Sequence, residues 1–215
     1  MRTFGKLALG LGLVVLSAAP ALAQGGGGGF GGPAMFLTNK GVQQEIKASD
    51  EQASKLNTLG EEIRTKQTEA RQGLQDLPQD ERRAKMTEAN KTLQADVNKG
   101  LAEILKPEQV KRFHQIQLQQ AGSNGLLQTH VADKLKLTDD QKTKVGDINK
   151  ELMTSMGELR GQFQNDREGT MKKMAESRKS ANEKALDVLT SEQKTTYKDL
   201  VGASYEFKFE PRPNN

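Results

Sequence analysis

Cysteine and tryptophan are absent from the 215-residue chain, and only two residues are histidine. Without cysteine the protein can form no disulfide, no thiolate metal site and no cysteine nucleophile. The two histidines, His114 and His130, belong to no HxxxH or HExxH pattern, so the sequence predicts neither a metal site nor a cofactor. No nucleophile, general base and orienting group can be assembled by motif, which predicts that the protein is not an enzyme.

Long apolar runs are missing as well, apart from one at the N-terminus. Arg2 and Lys6 precede an apolar run over residues 7–19, and an Ala-Leu-Ala triplet ending at Ala23 gives the small-x-small pattern of a signal-peptidase site. We therefore predict a signal peptide over residues 1–23, cleaved after its last residue, and a periplasmic or otherwise exported protein. An uncleaved anchor is the alternative, although the run is short for a membrane span. After cleavage we expect no membrane span.

Aromatic residues make up only 4% of the chain, whereas charged residues make up 28%. This composition supplies little apolar material for a thick core, and it favours thin helical hairpins completed by a partner chain, so a homodimer is one option. The formal net charge of +4 becomes 4 − 2 = +2 on signal cleavage, because Arg2 and Lys6 leave. This balance predicts no nucleic-acid partner.

The chain divides into two similar halves, which indicates an internal duplication. Residues 42–59 line up with residues 131–148 without a gap, and residues 105–116 line up with residues 189–200. Each half predicts a short helix, a long helix, a returning helix and a final short helix, because apolar residues recur three or four apart. The predicted fold class is all-α, with two tandem long helical hairpins and short flanking helices. We predict a glycine-rich linker over residues 24–33, a first hairpin repeat over 34–121, a second over 125–202 and an extended C-terminal arm over 203–215.

Turn-forming residues place the breaks between these elements. Pro78 ends the outward stripe of the first hairpin, and Gly169 places the tip of the second hairpin at residues 165–170. Residues 121–125, with two glycines and an asparagine, are predicted to link the halves. In the C-terminal arm, aromatic residues alternate with charged ones from Tyr205 onward, so we expect an extended segment packed over the open end of a hairpin.

A helix-start motif, Leu-Thr-Asp-Asp-Gln at residues 137–141, recurs along the chain. Thr138 can accept the backbone N–H of Gln141, whose side chain can reach back to the N–H of Thr138, and the two bonds make a reciprocal capping box. Related motifs begin at Ala48, Leu105 and Leu189, and the second of these has proline at the first helical position, where its missing N–H costs little. The predicted capping residues are Ser49, Gln52, Pro107, Gln109, Thr138, Gln141, Thr190 and Gln193. Capping accounts for the glutamines, and a recognition role is the alternative.

The motifs at residues 137–141 and 189–193 resemble the LTxxQ motifs of the periplasmic Spy/CpxP-like proteins, while those at residues 48–52 and 105–109 depart at their first positions. In that family each protomer carries two motifs, and two protomers form a thin, curved helical cradle. Its members include an ATP-independent chaperone, envelope-stress regulators and metal-responsive relatives. With four motifs, this chain is expected to contain by duplication what the family builds by dimerisation.

The resemblance implies a Spy-like chaperone or envelope-stress protein that binds unfolded or partly folded envelope proteins along accessible apolar strips. Surfaces rich in methionine bind varied apolar partners, and basic groups beside them would slow the release of acidic clients. The candidate client-binding residues are Met153, Met156, Phe163, Met171, Met174 and Arg178. Gap-filling in a thin seam is the alternative for the methionines. A structural or adaptor protein with one fixed envelope partner is the alternative function, and a metal-responsive sensor is the third.

Overall fold

The computed structural model describes residues 32–208, and over this range the chain contains nine α-helices, one 3₁₀ helix and no strand. The prediction of an all-α fold is therefore confirmed for these residues. The predicted signal peptide, most of the glycine-rich linker and residues 209–215 of the predicted arm lie outside the described residues. The helices are α1 (Pro33–Thr38), α2 (Lys40–Glu45), α3 (Asp50–Gln72), α4 (Gln79–Ile104), α5 (Pro107–Ala121), the 3₁₀ helix (Gly122–Leu127), α6 (Thr129–Leu135), α7 (Asp139–Gln162), α8 (Arg167–Asp187) and α9 (Ser191–Val201).

Each half has a short, a long, a returning and a final short helix in the predicted order. In the first half these are α2 to α5, and in the second half they are α6 to α9. The long helices α3 and α4 contact each other, and so do α7 and α8. No helix within the described range is long and apolar enough to cross a membrane.

The turn between α7 and α8 comes earlier in the chain than predicted. It spans residues 163–166, so the predicted tip at residues 165–170 is wrong over its second part. Asp166 caps α8 by accepting the backbone N–H of Gly169 through Oδ1 at 2.9 Å, which places that glycine inside the first helical turn. Glycine suits this position of the first turn, because a Cβ there would collide with the capping carboxylate of Asp166.

A short helix that the sequence analysis did not predict begins the first half, before the four helices that both halves share. Pro33, predicted to end the linker, is the first residue of α1, a position that proline favours. This helix packs on α3, where Leu37 is fully buried. Gly60 permits the close approach, because a Cβ there would collide with the methyl group of Thr38.

The buried apolar side chains form two clusters, one in each half, and α5 contributes to both. Its Phe113 and Ile116 belong to the first core, and its Leu118 belongs to the second. Residues 121–125, predicted as a linker, are helical throughout, since α5 ends at the first of them and the others belong to the 3₁₀ helix, which packs against α7 and α8. The two halves are thus joined by a packed helix and not by an open link. The fully buried large side chains of the first core are Leu37, Val42, Leu56, Ile63, Val97, Leu101, Phe113 and Ile116, and those of the second are Leu126, Val131 and Val145.

Candidate functional sites

Three of the four helix-start motifs close as complete capping boxes. Gln52 N donates to Ser49 Oγ at 3.2 Å, and Ser49 N donates to Gln52 Oε1 at 3.0 Å. The motif at Thr138 and Gln141 has the same two bonds, at 3.2 and 3.1 Å. So does the motif at Thr190 and Gln193, at 3.2 and 2.9 Å. The same capping box therefore begins the long helices α3 and α7 and the short helix α9.

The remaining motif, at the start of α5, makes only half of the box. Lys106 N donates to Gln109 Oε1 at 2.9 Å, so the glutamine reaches back as in the other copies. The lysine side chain carries no acceptor, and no bond can return to it from the helix. Pro107 occupies the first helical position, where one fewer backbone N–H needs a partner.

The four motif glutamines do more than cap, because they bond to one another in two pairs. Gln52 Nε2 donates to Gln109 Oε1 at 2.9 Å, and Gln109 Nε2 donates to Gln52 Oε1 at 3.1 Å. In the second half, Gln141 Nε2 donates to Gln193 Oε1 at 2.7 Å, and the reverse bond measures 3.0 Å. We call these the first and second glutamine pairs. Each pair ties the start of a long helix to the start of the final short helix of the same half.

Each glutamine pair also satisfies backbone carbonyls at the ends of two other helices. Gln52 Nε2 donates to Ile104 O at 2.9 Å, at the end of α4, and Gln109 Nε2 donates to Ile46 O at 3.1 Å, after α2. In the second half, Gln141 Nε2 donates to Val188 O at 3.0 Å, and Gln193 Nε2 donates to Leu135 O at 3.1 Å. Helix ends leave carbonyls without intrahelical partners. Four helix ends per half therefore meet at one pair of amides.

The backbone entering each pair is held in a matched, left-handed conformation. Lys47 and Lys136, which the sequence alignment pairs, have φ angles of 52° and 50°. After Lys47, Ala48 N donates to Gln43 O at 2.9 Å, and the corresponding bond from Leu137 N measures 3.0 Å. These bonds end α2 and α6 as Schellman motifs, and a left-handed residue other than glycine costs about 1 kcal/mol. The shared strain shows that the duplication extends to the backbone.

Both glutamine pairs consist of amide side chains. Amide side chains do not titrate, and among the described residues no group of three His, Asp or Glu side chains is placed to hold a metal ion.

His114 Nδ1 lies 3.1 Å from Gln117 Oε1, and burial lowers the pKa of this imidazole. An open depression beside the second pair is lined by Lys144, Lys184 and Asp187, among other residues.

The candidate client-binding residues lie along α7, the turn and α8, but they differ in exposure. Met153 is 63% exposed, whereas Met156 is only 7% exposed and packs in the seam. Phe163, Met171 and Met174 are partly buried. The structure thus places Met156 among the gap-filling residues and keeps the others at or near the surface.

Three arginines lie in the same part of the second hairpin as these partly covered apolar groups. The guanidinium carbon of Arg167 lies 5.6 Å from the ring centroid of Phe163, within cation–π range. Arg178 is partly buried, and burial together with the charge of Arg160 lowers the pKa of its guanidinium. The distal part of the second hairpin therefore carries apolar and basic side chains that are exposed or partly buried, and we call these residues the distal surface (Met153, Arg160, Phe163, Arg167, Met171, Met174 and Arg178).

The open apolar strips expected from the sequence are mostly covered. Within residues 32–208 the exposed large apolar side chains are Leu127, at 37%, and Met153. The stripes of facing helices cover each other, since α3 packs on α4 and α7 packs on α8. The apolar side chains along the facing helices are therefore partly covered, and they do not form a fully exposed strip.

The model of a family described as a domain of unknown function (DUF4890) matches residues 128–197, about a third of the chain. The match begins beside α6 and ends inside α9, so it contains the second glutamine pair and both of its capping boxes. No curated protein and no solved structure matches the chain. The matched segment corresponds closely to one repeat, which supports the repeat as the structural unit.

Proposed function

We propose that the protein is an exported, Spy-like helical protein that acts as an ATP-independent chaperone or envelope-stress protein, binding unfolded or apolar segments of other envelope proteins. The observation that supports this function is the distal surface, where partly buried methionines and a phenylalanine lie among arginines. The resemblance of two helix-start motifs to LTxxQ motifs supports a Spy-like protein, and the signal-peptide pattern supports export.

Binding at the distal surface would use two kinds of contact. Met171 and Met174 keep flexible thioether side chains partly accessible, and such side chains adapt to apolar groups of different shape. Arg160 and Arg178 add positive charge beside them, which attracts the acidic groups that flank apolar segments in many unfolded chains. The combination favours many weak clients over one tight ligand.

Suppression of client aggregation, without nucleotide and at near-stoichiometric ratios, tests the proposal. We expect the wild-type chain to suppress aggregation of several unrelated clients. A Met171→Ser and Met174→Ser double variant should bind clients about tenfold more weakly, since it removes two partly buried apolar contacts worth about 1 kcal/mol together or somewhat more. Met86→Ser is the matched control, because Met86 is a partly buried methionine of the first hairpin.

Failure to suppress aggregation of any client would reject the chaperone function. An equal loss of activity in the Met86→Ser control would reject the distal surface as the binding region while leaving the function in place. Loss confined to the double variant supports both.

The second candidate is a structural or adaptor protein with one fixed envelope partner. The covering of nearly all large apolar side chains in the described range favours it, since a fixed partner needs no broad apolar strip. Crosslinking of the protein in native envelope extract separates the two. Many weak partners support the chaperone, and one strong stoichiometric partner supports the adaptor.

A further inference from the structure

The end of the described chain crosses from the second half onto the first. Residues 203–208, which we call the tail, follow α9 with no helix or strand, and burial alternates with exposure from Tyr205 to Lys208, which is the period of an extended segment. They lie on a surface formed by α1, the start of α2 and α5, which we call the tail groove (Phe36, Asn39, Arg112, Phe113 and Gln119). The tail thus contacts the first half of its own chain in the way that a bound peptide would contact a protein.

The tail groove holds the tail by its main chain. Gln119 Nε2 and Arg112 Nη1 both donate to Ala203 O at 2.8 Å. Gln119 Oε1 accepts Tyr205 N at 2.9 Å, and Asn39 Nδ2 donates to Lys208 O at 2.8 Å. These four bonds use only backbone atoms of the tail, so they would form with an extended segment of almost any sequence.

Three side chains that make these bonds are themselves fixed in place. Asn39 caps α2, since its Oδ1 accepts Val42 N at 2.9 Å. Arg112 is held by Glu45, which accepts from Nε at 2.9 Å and from Nη2 at 2.7 Å. Gln119 is 8% exposed and also donates to Val201 O at 2.7 Å. A preorganised set of donors reduces the cost of binding an extended segment.

Specificity comes from alternate side chains of the tail. Phe207 is 5% exposed and belongs to the first core, with its ring centroid 5.2 Å from that of Phe36. Tyr205 is partly buried against the same core, and its ring centroid lies 6.4 Å from that of Phe207. Glu206 and Lys208 between and after them are exposed. In an extended segment successive side chains point to opposite sides, so the groove selects aromatic residues two positions apart.

The second half lacks a counterpart of the tail among the described residues. The second core is built from residues of α5 to α9 and the segments between them, with no tail residue, although its helices follow the same plan and close on the same kind of glutamine pair. The tail groove is therefore an addition in the first half and not a consequence of the repeat.

We propose that the tail groove is a binding site for extended peptide segments of other proteins with aromatic residues at alternate positions, and that the tail is its intramolecular competitor. The proposal concerns a surface separate from the distal surface and stands independently of the chaperone function. A tethered segment acts at an effective concentration of about 1 mM, so the tail occupies the groove until a matching segment exceeds it. The observed contacts of Tyr205 and Phe207 indicate which partner segments would fit, namely segments with aromatic residues two positions apart.

Fluorescence anisotropy with a labelled peptide of the tail sequence, Ala-Ser-Tyr-Glu-Phe-Lys, tests this competition in the full chain. The variant Phe207→Ser loosens the tail, and Glu206→Ser is the matched control, because that side chain is exposed in the same segment. For a peptide of about 0.1 mM affinity, we expect binding to Phe207→Ser to be roughly tenfold tighter than binding to the wild type or to Glu206→Ser. A peptide with its aromatic residues moved to adjacent positions should not bind, and adding Gln119→Ala to Phe207→Ser should abolish binding of the original peptide.

Equal affinity of the peptide for the wild type and for folded Phe207→Ser, or no binding to either, would overturn the proposal. If circular dichroism shows that Phe207→Ser does not fold, saturating peptide should restore its helical signal, and absence of rescue would count against the groove. A concentration-dependent dimer of the wild type that Phe207→Ser loses would assign the groove to a second copy and would also overturn the proposal.

Discussion

Replacing Gln109 by alanine removes the more buried member of the first glutamine pair. The side chain is 8% exposed, and its Oε1 accepts from Lys106 N and from the amide of Gln52. Its Nε2 carries two protons for three acceptors, which are Ile46 O, Lys47 O and Gln52 Oε1, all at 3.0 to 3.1 Å. The side chain therefore makes four hydrogen bonds at once.

The expected loss of unfolding free energy follows from these four bonds. A hydrogen bond within a protein contributes about 1 kcal/mol net, and water entering the smaller alanine site would recover part of the total, so we expect a cost of about 2 to 4 kcal/mol. Gln109→Glu keeps the size and the acceptor but loses both donors at neutral pH. This variant should lose a similar amount at pH 7 and regain part of it near pH 4, because the protonated acid can again donate one hydrogen bond.

Urea unfolding followed by circular dichroism measures both changes. Gln94→Ala is the control, since Gln94 is an exposed helical glutamine bonded only to the exposed Asn98, and it should stay within about 0.5 kcal/mol of the wild type. A Gln109→Ala variant as stable as this control would refute the reasoning, because it would show that the pair contributes nothing.

Three further predictions follow from groups outside the first pair. Asn149 is buried with neither side-chain nitrogen nor oxygen bonded within the described residues, so Asn149→Leu should raise the free energy of unfolding by about 1 kcal/mol or more in urea, and a loss would contradict the burial argument. Asp166→Ala removes the cap of α8 and should cost about 1 kcal/mol, whereas the exposed Asp76→Ala should cost nothing measurable. Burial raises the pKa of Tyr197 to about 12 from an ordinary value of 10.0, so the folded state keeps this proton longer. Stability should therefore fall as the pH rises from 10 toward 12, by about 2 to 3 kcal/mol, and a Tyr197→Phe variant should lack this part of the pH dependence.

The sequence predicts well those features that depend on neighbouring residues. The capping boxes at Thr138 and Thr190 use side chains three residues apart, so local chemistry is enough to place the helix starts. The order of four helices in each half follows from apolar spacing and from Pro78, which stands immediately before α4. The alignment also pairs Lys47 with Lys136, although their left-handed conformation was not predicted from the sequence.

The sequence predicts poorly those features that depend on residues far apart. Gln52 and Gln109 are 57 residues apart, and capping uses only their amide oxygens, so nothing local assigns a partner to the amide nitrogens. An amide nitrogen without a capping partner recurs in all four motifs, and this recurrence is the feature of the sequence that indicates a second role for the glutamines. Docking of the tail likewise joins Asn39 to Lys208 across 169 residues, so the alternating aromatic residues predicted a packed arm but not the side chains that hold it. The prediction of the tip at residues 165–170 is wrong over its second part for a local reason, because Asp166 caps α8 and Gly169 lies inside the first turn of that helix.

A double-mutant cycle on the second glutamine pair tests the central claim most directly, namely that each repeat is closed by two reciprocally bonded amides. Urea unfolding of Gln141→Ala, Gln193→Ala and the double variant should give an interaction free energy of about 1 kcal/mol or more, because each single change already removes the shared bonds. The matched cycle between Gln141 and Gln109, which share no hydrogen-bond partner, should be additive within about 0.5 kcal/mol. Additive changes within the second pair would contradict the account.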